Sequence, residues 1–587
     1  VIFTKKRTRT LGAQPNISPR PGITSCFTKG NVVKALVFTG LIWFIAALLV
    51  VPNISTVTNV VWQNGEFTLR AIERMRNAPR AMQALRNSFI LAPILSITVG
   101  FVGVTLVLIT DYFKIFGAKI LRLGYMTTLI YSGIILVSGY VFLYGQNGFI
   151  TNFLVQIFPN LEQDWFSGFW AVFFVMTFAA TGNHMIFIRN ALRNVDYQTI
   201  EAARNMGASP LTILWRVVLP VLLPSLTAVT VFTFLGGLSA IAAPLLVGGS
   251  EFRAITPLIL QLSRLQGSRD IAALLAIILG ASSILLIGVL SWLEKRGHYL
   301  SVSKVKTDLV KQKIRNPVIN VLAHIYAYVL FLIYIAPVIM IVLFSFTDAH
   351  TIAQREFSLS ALTIDNYVMV LTQNFSPLFT SAFYSLLAAS GVAILMLLVC
   401  RLITKHKSKL STAIEYAFMI PWLLPTVLIA LGLVSTFNRP QWFMFNQPLT
   451  NTTWIMVLGY IIICIPFTLR MTRASFFSID NTLEDAAKNL GAKPLYAFIR
   501  VIMPVILPSV LAVFALNFNS LLAEFDMSIF MHNPLAVPLG VEINNLTTAD
   551  GGGDGAALVF VYSVIMMTIS AIVLYLVYGR NSKSSSA

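Results

Sequence analysis

The chain has 587 residues, of which 57% are hydrophobic and only 11% charged, and its mean hydropathy is +0.78. A water-soluble fold of this length needs a far more polar surface, so these values exclude one and require lipid as the solvent for most of the chain. The net charge of +19 would suit a nucleic-acid partner if it were gathered on one domain, but its placement assigns it to membrane orientation instead.

In chain order, residues 1–32 form a basic tail containing "KKRTRTLGAQPNISPRPG", expected to be flexible. Apolar runs long enough to cross a bilayer follow near 33–51, 87–110, 121–145, 166–188, 220–249 and 271–293. The first starts too deep and runs too long for a cleaved signal peptide and is read as a retained span. Together the six runs make a first membrane domain over 33–293, followed by a basic linker over 294–317. Six further runs, near 318–346, 377–403, 413–437, 452–472, 504–525 and 556–578, make a second domain over 318–579, before a short tail at 580–587. The fold class is therefore an all-α polytopic membrane protein with twelve transmembrane helices.

Charge orients these spans. Residues 1–34 carry seven Lys or Arg and no acid, and 294–316 carry seven against Glu294 and Asp308, whereas 146–165 and 526–555 contain none. Cytoplasmic loops collect Lys and Arg, which puts both termini inside, in keeping with an even number of spans. The segment "LRAIERMRNAPRAMQALR" (69–86), with five Arg, is external in this topology; it is expected to lie on the surface as an amphipathic helix. Three cysteines stand apart without a CxxC pair and six histidines without HxxxH spacing, so neither a disulfide framework nor a metal site is suggested.

The organising feature is a repeat. Shifting the chain by 284 residues lays "EAARNMGASPLTILWRVVLP", from Glu201, on "DAAKNLGAKPLYAFIRVIMP", from Asp485, with 15 identities in 30 positions over 196–225 against 480–509. Two six-span halves thus run parallel, a common transporter plan. Asp196 can cap an Ala-rich helix, Gly207 and Gly491 can stop it in the left-handed conformation, and Pro210 and Pro494 can start a second short helix. Pro220 and Pro504 are then expected to break that helix before the chain re-enters lipid. An ordinary re-entry loop needs a turn, but not this shared spelling.

The doubled motif resembles the EAA loop of binding-protein-dependent ABC importer permeases. The resemblance implies the type I importer permease fold, a bacterial cytoplasmic (inner) membrane location, and coupling of Glu201, Ala202, Ala203, Gly207, Asp485, Ala486, Ala487 and Gly491 to a homodimer of ATP-binding subunits. The second copy departs from the pattern with Asp485 for Glu and with Lys493 where Ser209 stands. The chain contains no Gly-Lys dipeptide and hence no P-loop. The resemblance accordingly implies a transport subunit that is not itself an enzyme, binds no cofactor, and relies on ATP used by its partner. A periplasmic or surface-tethered binding protein would deliver the solute.

Fusion of both halves, with "LLAEFDMSIFMHNPLAVPLGVEI" (521–543), resembles the ferric-iron branch, which shades into permeases for phosphonates, sugar phosphates, thiamine and polyamines. Asn517, Asn519, Glu524, Asp526 and Ser239 are the candidate pathway residues, since polar side chains near spans are functional candidates by default. Glu524 is expected to line the outer pathway opposite Ala240; the alternative is that Glu524 and Asp526 cap a helix end. No Lys or Arg falls near the centre of a span, which favours a cationic or neutralised solute. Asn183 and His184 read as packed, hydrogen-bonded residues rather than an inner gate. A proton-coupled secondary transporter would show intramembrane acid–base relays in place of paired elbows, and a membrane enzyme would show a clustered nucleophile or acid–base pair.

Overall fold

The computed structural model describes residues 29–576, apart from 64–65, 131–132, 147, 194, 297–309, 315, 355–357, 406–407, 445, 478, 481 and 550–551. The basic tail, apart from residues 29–32, the C-terminal tail and most of the linker lie outside the described residues. Among the described residues, eleven helices are long and apolar enough to cross a membrane. In the first half they are α1 (Ala35–Val61), α2 (Pro79–Tyr112), α3 (Gly133–Ile157) and α4 (Gly168–Leu192). The short elbow helix α5 (Tyr197–Asn205) comes next, then α6 (Pro210–Leu238) and α7 (Arg269–Val289). The second half opens with α8 (Pro317–Ser345) and α9 (Ser376–Lys405). There the ninth run departs from expectation. It is not one straight span: Lys409–Leu423 (α10) and Thr426–Phe437 (α11) meet at a 105° bend. Pro421 and Pro425 bracket the bend, and each removes a backbone donor and crowds the preceding turn. The chain ends with α12 (Thr453–Phe477), the second elbow helix α13 (Thr482–Asn489), α14 (Pro494–Leu522) and α15 (Gly553–Val573). Among the described residues the only paired strands are Trp62–Gln63 and Glu66–Phe67.

The segment 69–86 is divided as well. Arg70–Arg76 is a separate short helix and Pro79 opens α2, because the residue before a proline avoids helical geometry. Arg74 is anchored by Asp270 at 2.6 Å and by the Gly267 carbonyl at 2.6 Å, so part of the charge belt is tied to the start of α7.

The halves are not two side-by-side bundles. Leu41, Leu48 and Leu49 of α1 are buried in a cluster with Ala388 and Val392 of α9 and Leu433 and Phe437 of α11. Reciprocally, Ala327, Leu330 and Tyr334 of α8 are buried among Leu121, Tyr125 and Met185 of the first half. Each half therefore lends its first span to the other. Polar groups pin the exchange: Tyr125 donates to the Ala327 carbonyl at 2.6 Å, and the hydroxyls of Thr181 and Tyr334 lie 2.5 Å apart. Inside a bilayer such groups have few alternative partners, which holds the crossing in register. On the outside, large apolar side chains such as Trp170 (74% exposed) and Ile97 (73%) face outward, as lipid solvation permits.

Candidate functional site

Two features at different depths stand out, and the repeat builds both. The first is the pair of elbows. Asp196 takes the Gln198 N–H at 3.0 Å, and Asp480 takes the Thr482 N–H at 3.0 Å. At the other end Gly207 and Gly491 both adopt φ 83°. Gly207 N–H donates to the Arg204 carbonyl at 2.9 Å and Ala208 N–H to the Ala203 carbonyl at 3.0 Å. The second elbow repeats this with Gly491 to Lys488 at 2.9 Å and Ala492 to Ala487 at 3.0 Å. This is a Schellman closure, which needs a left-handed residue and satisfies helix-end carbonyls. Ala203 and Ala487 are buried, while Glu201, Ala202, Gly207, Asp485, Ala486 and Gly491 are exposed.

The expected helix break at Pro220 and Pro504 does not occur. α6 and α14 run unbroken from Pro210 and Pro494, with π-helical turns at Leu214–Val218 and Phe498–Ile502. A π turn just ahead of each proline loosens the helix where an N–H is missing, so the chain passes without a break.

Sequence reasoning overlooked what the elbows expose. Met206 and Leu490 are 82% and 89% exposed, and Leu211 and Leu495 are 65% and 69% exposed. Each pair is 284 residues apart; apolar residues held at one register in two polar loops were the available signal. The repeat thus holds a pair of exposed apolar side chains on each elbow.

The elbows differ in how they are anchored. Glu484 of α13 accepts both guanidinium nitrogens of Arg401, at 2.6 and 2.8 Å. Lys405 and Lys488 stand at 3.6 and 3.5 Å. The hydrogen bond from Arg401, aided by these cations, holds the Glu484 carboxyl down at about 2. Arg401 also lies over the Phe498 ring at 5.0 Å. In the first half Ile200 occupies the Glu484 register and is buried with Tyr112, Ile115 and Ile213. One elbow is held by charge and the other by apolar packing. The starts of the second helices differ too: the Ser209 hydroxyl accepts the Thr212 N–H at 3.2 Å, whereas Lys493 supplies no side-chain cap.

The second feature is a cavity of about 710 Å³ between the halves. Asn183, Ser239 and the Ala240–Ala243 segment face it from one half, and Pro421–Thr426, Phe467 and Asp526 from the other. The bend between α10 and α11 thus delivers Trp422 into the cavity wall, where Arg470, outside the lining, stacks on its ring at 4.4 Å. Asp526 is the single charged side chain among the described residues that line the cavity. It is exposed, on the wall of this open cavity.

The other sequence candidates lie elsewhere. Glu524 does not line the cavity; its carboxylate takes the Met527 N–H at 2.8 Å, the Ser528 N–H at 3.1 Å and the Ser528 hydroxyl at 2.7 Å. It is spent on the free donors opening the short helix Ser528–Met531, the capping role that the sequence left open. Asn517 is buried and donates to the Thr468 hydroxyl at 2.7 Å. Asn519 donates to the Ser570 carbonyl at 3.2 Å. Asn183, read as packed, lines the cavity, while its neighbour His184 is fully buried. Among the described residues no group of three or more His, Cys, Asp or Glu gathers as metal ligands.

These positions separate the two acids experimentally. Glu524→Gln exchanges a charge-assisted acceptor for a neutral amide and is expected to cost about 1–2 kcal/mol of stability, read as a lowered thermal midpoint in detergent. Asp526→Asn, which touches no cap, should leave that midpoint unchanged.

Comparison with known proteins adds the following. A family described as "Binding-protein-dependent transport system inner membrane component" matches residues 37–298 and 393–582. A probable ABC transporter permease protein, y4fN of Sinorhizobium fredii, is 35% identical over 553 residues, covering 93% of this chain and 96% of that protein. The ferric transport system permease protein FbpB of Actinobacillus pleuropneumoniae is 20% identical over 557 residues, 91% of this chain and 76% of that protein. A probable sulfate transport system permease protein, cysT of Prototheca wickerhamii, is 30% identical over 156 residues, 26% of this chain and 61% of that protein.

Proposed function

The chain belongs to the family of inner membrane components of binding-protein-dependent transport systems, which matches it over both halves, and on that premise we propose that it imports a small cationic solute, ferric iron first among the candidates. It is a multi-pass ABC importer permease, and its family works with an ATPase and a solute-binding protein. In our reading, a homodimer of ATPase subunits docks on the two elbows, with Met206, Leu211, Leu490 and Leu495 entering apolar grooves. Closure of that pair draws the elbows together and rocks the halves, opening the central cavity alternately to each side. ATP is hydrolysed by the partner, and both termini lie in the bacterial cytoplasm.

The observation that carries the choice of cargo is Asp526, the one charged side chain among the described residues lining the cavity. A carboxylate in a confined, partly apolar space attracts a cation and repels sulfate or a phosphonate, and misplaced like charge is an effective means of rejection. It is also a hard oxygen donor suited to ferric iron. One carboxylate gives a passing contact in place of a trap, as conduction requires. The relative named for ferric transport points the same way.

The test is uptake of labelled ferric iron into vesicles holding the chain, its ATPase and its binding protein. Asp526→Asn is expected to slow uptake about tenfold, roughly the effect of losing 1.4 kcal/mol of charge attraction, and Asp526→Lys to abolish it while leaving ATPase docking intact. Sulfate or phosphonate uptake by the wild type, or undiminished iron uptake by Asp526→Lys, refutes the cation reading.

A further inference from the structure

A second cavity, of about 850 Å³, lies away from the central one, beside the first elbow. Its walls come from the end of α2, from the stretch Ser209–Leu214, from residues 310–314 of the linker and from the start of α8. The linker is fastened there: Gln312 N–H donates to the Tyr112 carbonyl at 2.8 Å, and Lys114 N–H donates to the Gln312 carbonyl at 2.9 Å. The cavity is thus a built slot with a hydrogen-bonded wall.

Its chemistry divides in two. Leu108, Ile109, Leu214, Ile319 and Ala323 give it an apolar interior. The lining on α2 runs from Thr105 to Tyr112 and that on α8 from Ile319 to Tyr326, each a length of about 10 Å along its helix. Toward the helix ends stand Arg204, Lys311 and Lys313, with no Asp or Glu among the described lining residues. Arg204 meets the neutral side-chain oxygen of Gln312, and the Lys311 ammonium donates to the Thr110 carbonyl at 2.7 Å. Asp111, the acid next to the site on α2, is already shared between Arg122 at 3.0 Å and Arg189 at 3.1 Å. Three cations therefore face the slot without a paired anion among the described residues that line it.

We infer that this slot binds one anionic phospholipid, its phosphate among Arg204, Lys311 and Lys313 and an acyl chain between α2 and α8. A soluble anion has no use for a 10 Å apolar recess, and an uncharged hydrocarbon has none for three cations. The cavity sits where spans end, at headgroup depth, and basic pockets between membrane helices at that level take anionic headgroups. Because the first elbow and the linker form its walls, the lipid joins them into one body. The second elbow, closed by Arg401 and Glu484, has its own ionic fastening and does not depend on it. The inference is independent of the cargo.

The experiment uses the full chain, delipidated in detergent and titrated by native mass spectrometry with phosphatidylglycerol, with phosphatidylcholine of the same acyl chains, and with glycerol phosphate as competitor. The expected result is one phosphatidylglycerol held at least tenfold more tightly than phosphatidylcholine and not displaced by millimolar glycerol phosphate. Lys311→Gln with Lys313→Gln should remove most of that preference; Lys313→Gln alone, at an exposed position, should reduce it without disturbing the fold. Equal affinity for the two lipids overturns the inference, as does a phosphatidylglycerol preference untouched by both variants. Competition by glycerol phosphate as strong as by the lipid also overturns it, leaving a site for soluble anions.

Discussion

Valine at Gly207 or Gly491 is expected to reduce solute uptake to background while the protein remains folded in the membrane. Both glycines sit at φ 83°, and a Cβ built at either would meet nothing within 4 Å. The penalty is therefore conformational and not steric against a neighbour. The left-handed region costs an L-residue about 1–2 kcal/mol, and a β-branched side chain is a genuine outlier there. Relief of that strain opens the closure made by Ala208 on Ala203, or by Ala492 on Ala487, and re-aims the helix that presents Met206 or Leu490. Asparagine, which tolerates the left-handed region, should keep most of the activity. Gly491→Val should be the more damaging of the two, because Lys493 does not cap the following helix as Ser209 does. The measurement is uptake and ATP hydrolysis in the same vesicles with the ATPase bound. Normal coupled transport by both valine variants would show that the elbows do not transmit force.

The second large effect is expected at the ionic anchor of α13. Glu484→Gln leaves Arg401, Lys405 and Lys488 gathered without their shared acid. A charge-assisted bidentate pair in a half-buried setting is worth roughly 2–3 kcal/mol, so coupling through the second elbow should fall by roughly 30- to 150-fold. Exchanging the charges, Arg401→Glu with Glu484→Arg, should recover part of the loss, which a purely steric defect would not allow. The pH dependence follows from the sign of the shift. A carboxyl held down at about 2 contributes its stability in full above the ordinary glutamate range and loses it only as pH falls toward that value. Between pH 5 and 9 the wild type and Glu484→Gln should therefore differ by a constant factor. A ratio that changes across this interval, or full activity in Glu484→Gln, would exclude the pair as the anchor.

The reach of the sequence is clear at particular residues. Asp196 and Gly207, with their partners 284 positions on, act through hydrogen bonds to residues at most five positions away, and Pro210 and Pro494 act through their own fixed φ and missing N–H at a helix start, so the local chain specifies them completely. The spans were legible for a similar reason, since crossing lipid demands an apolar run of a certain length and little else. Glu484 was not recognised, because its partner Arg401 is 83 residues away. Only the register against Ile200 hinted that the two elbows are held differently.

The sequence by itself determined two parallel halves of membrane helices, each with the same elbow, and thereby the class of transport machine. The tertiary structure decided the rest. It exchanged α1 and α8 between the halves, bent the ninth run by 105° to bring Trp422 to the cavity, and set Asp526 on the cavity wall while assigning Glu524 to a helix start. The reason is physical. A helix apolar on every side carries no periodic signal for which face meets which neighbour. In lipid that choice rests on close packing and a few buried hydrogen bonds, such as Tyr125 to Ala327 across 202 positions of chain.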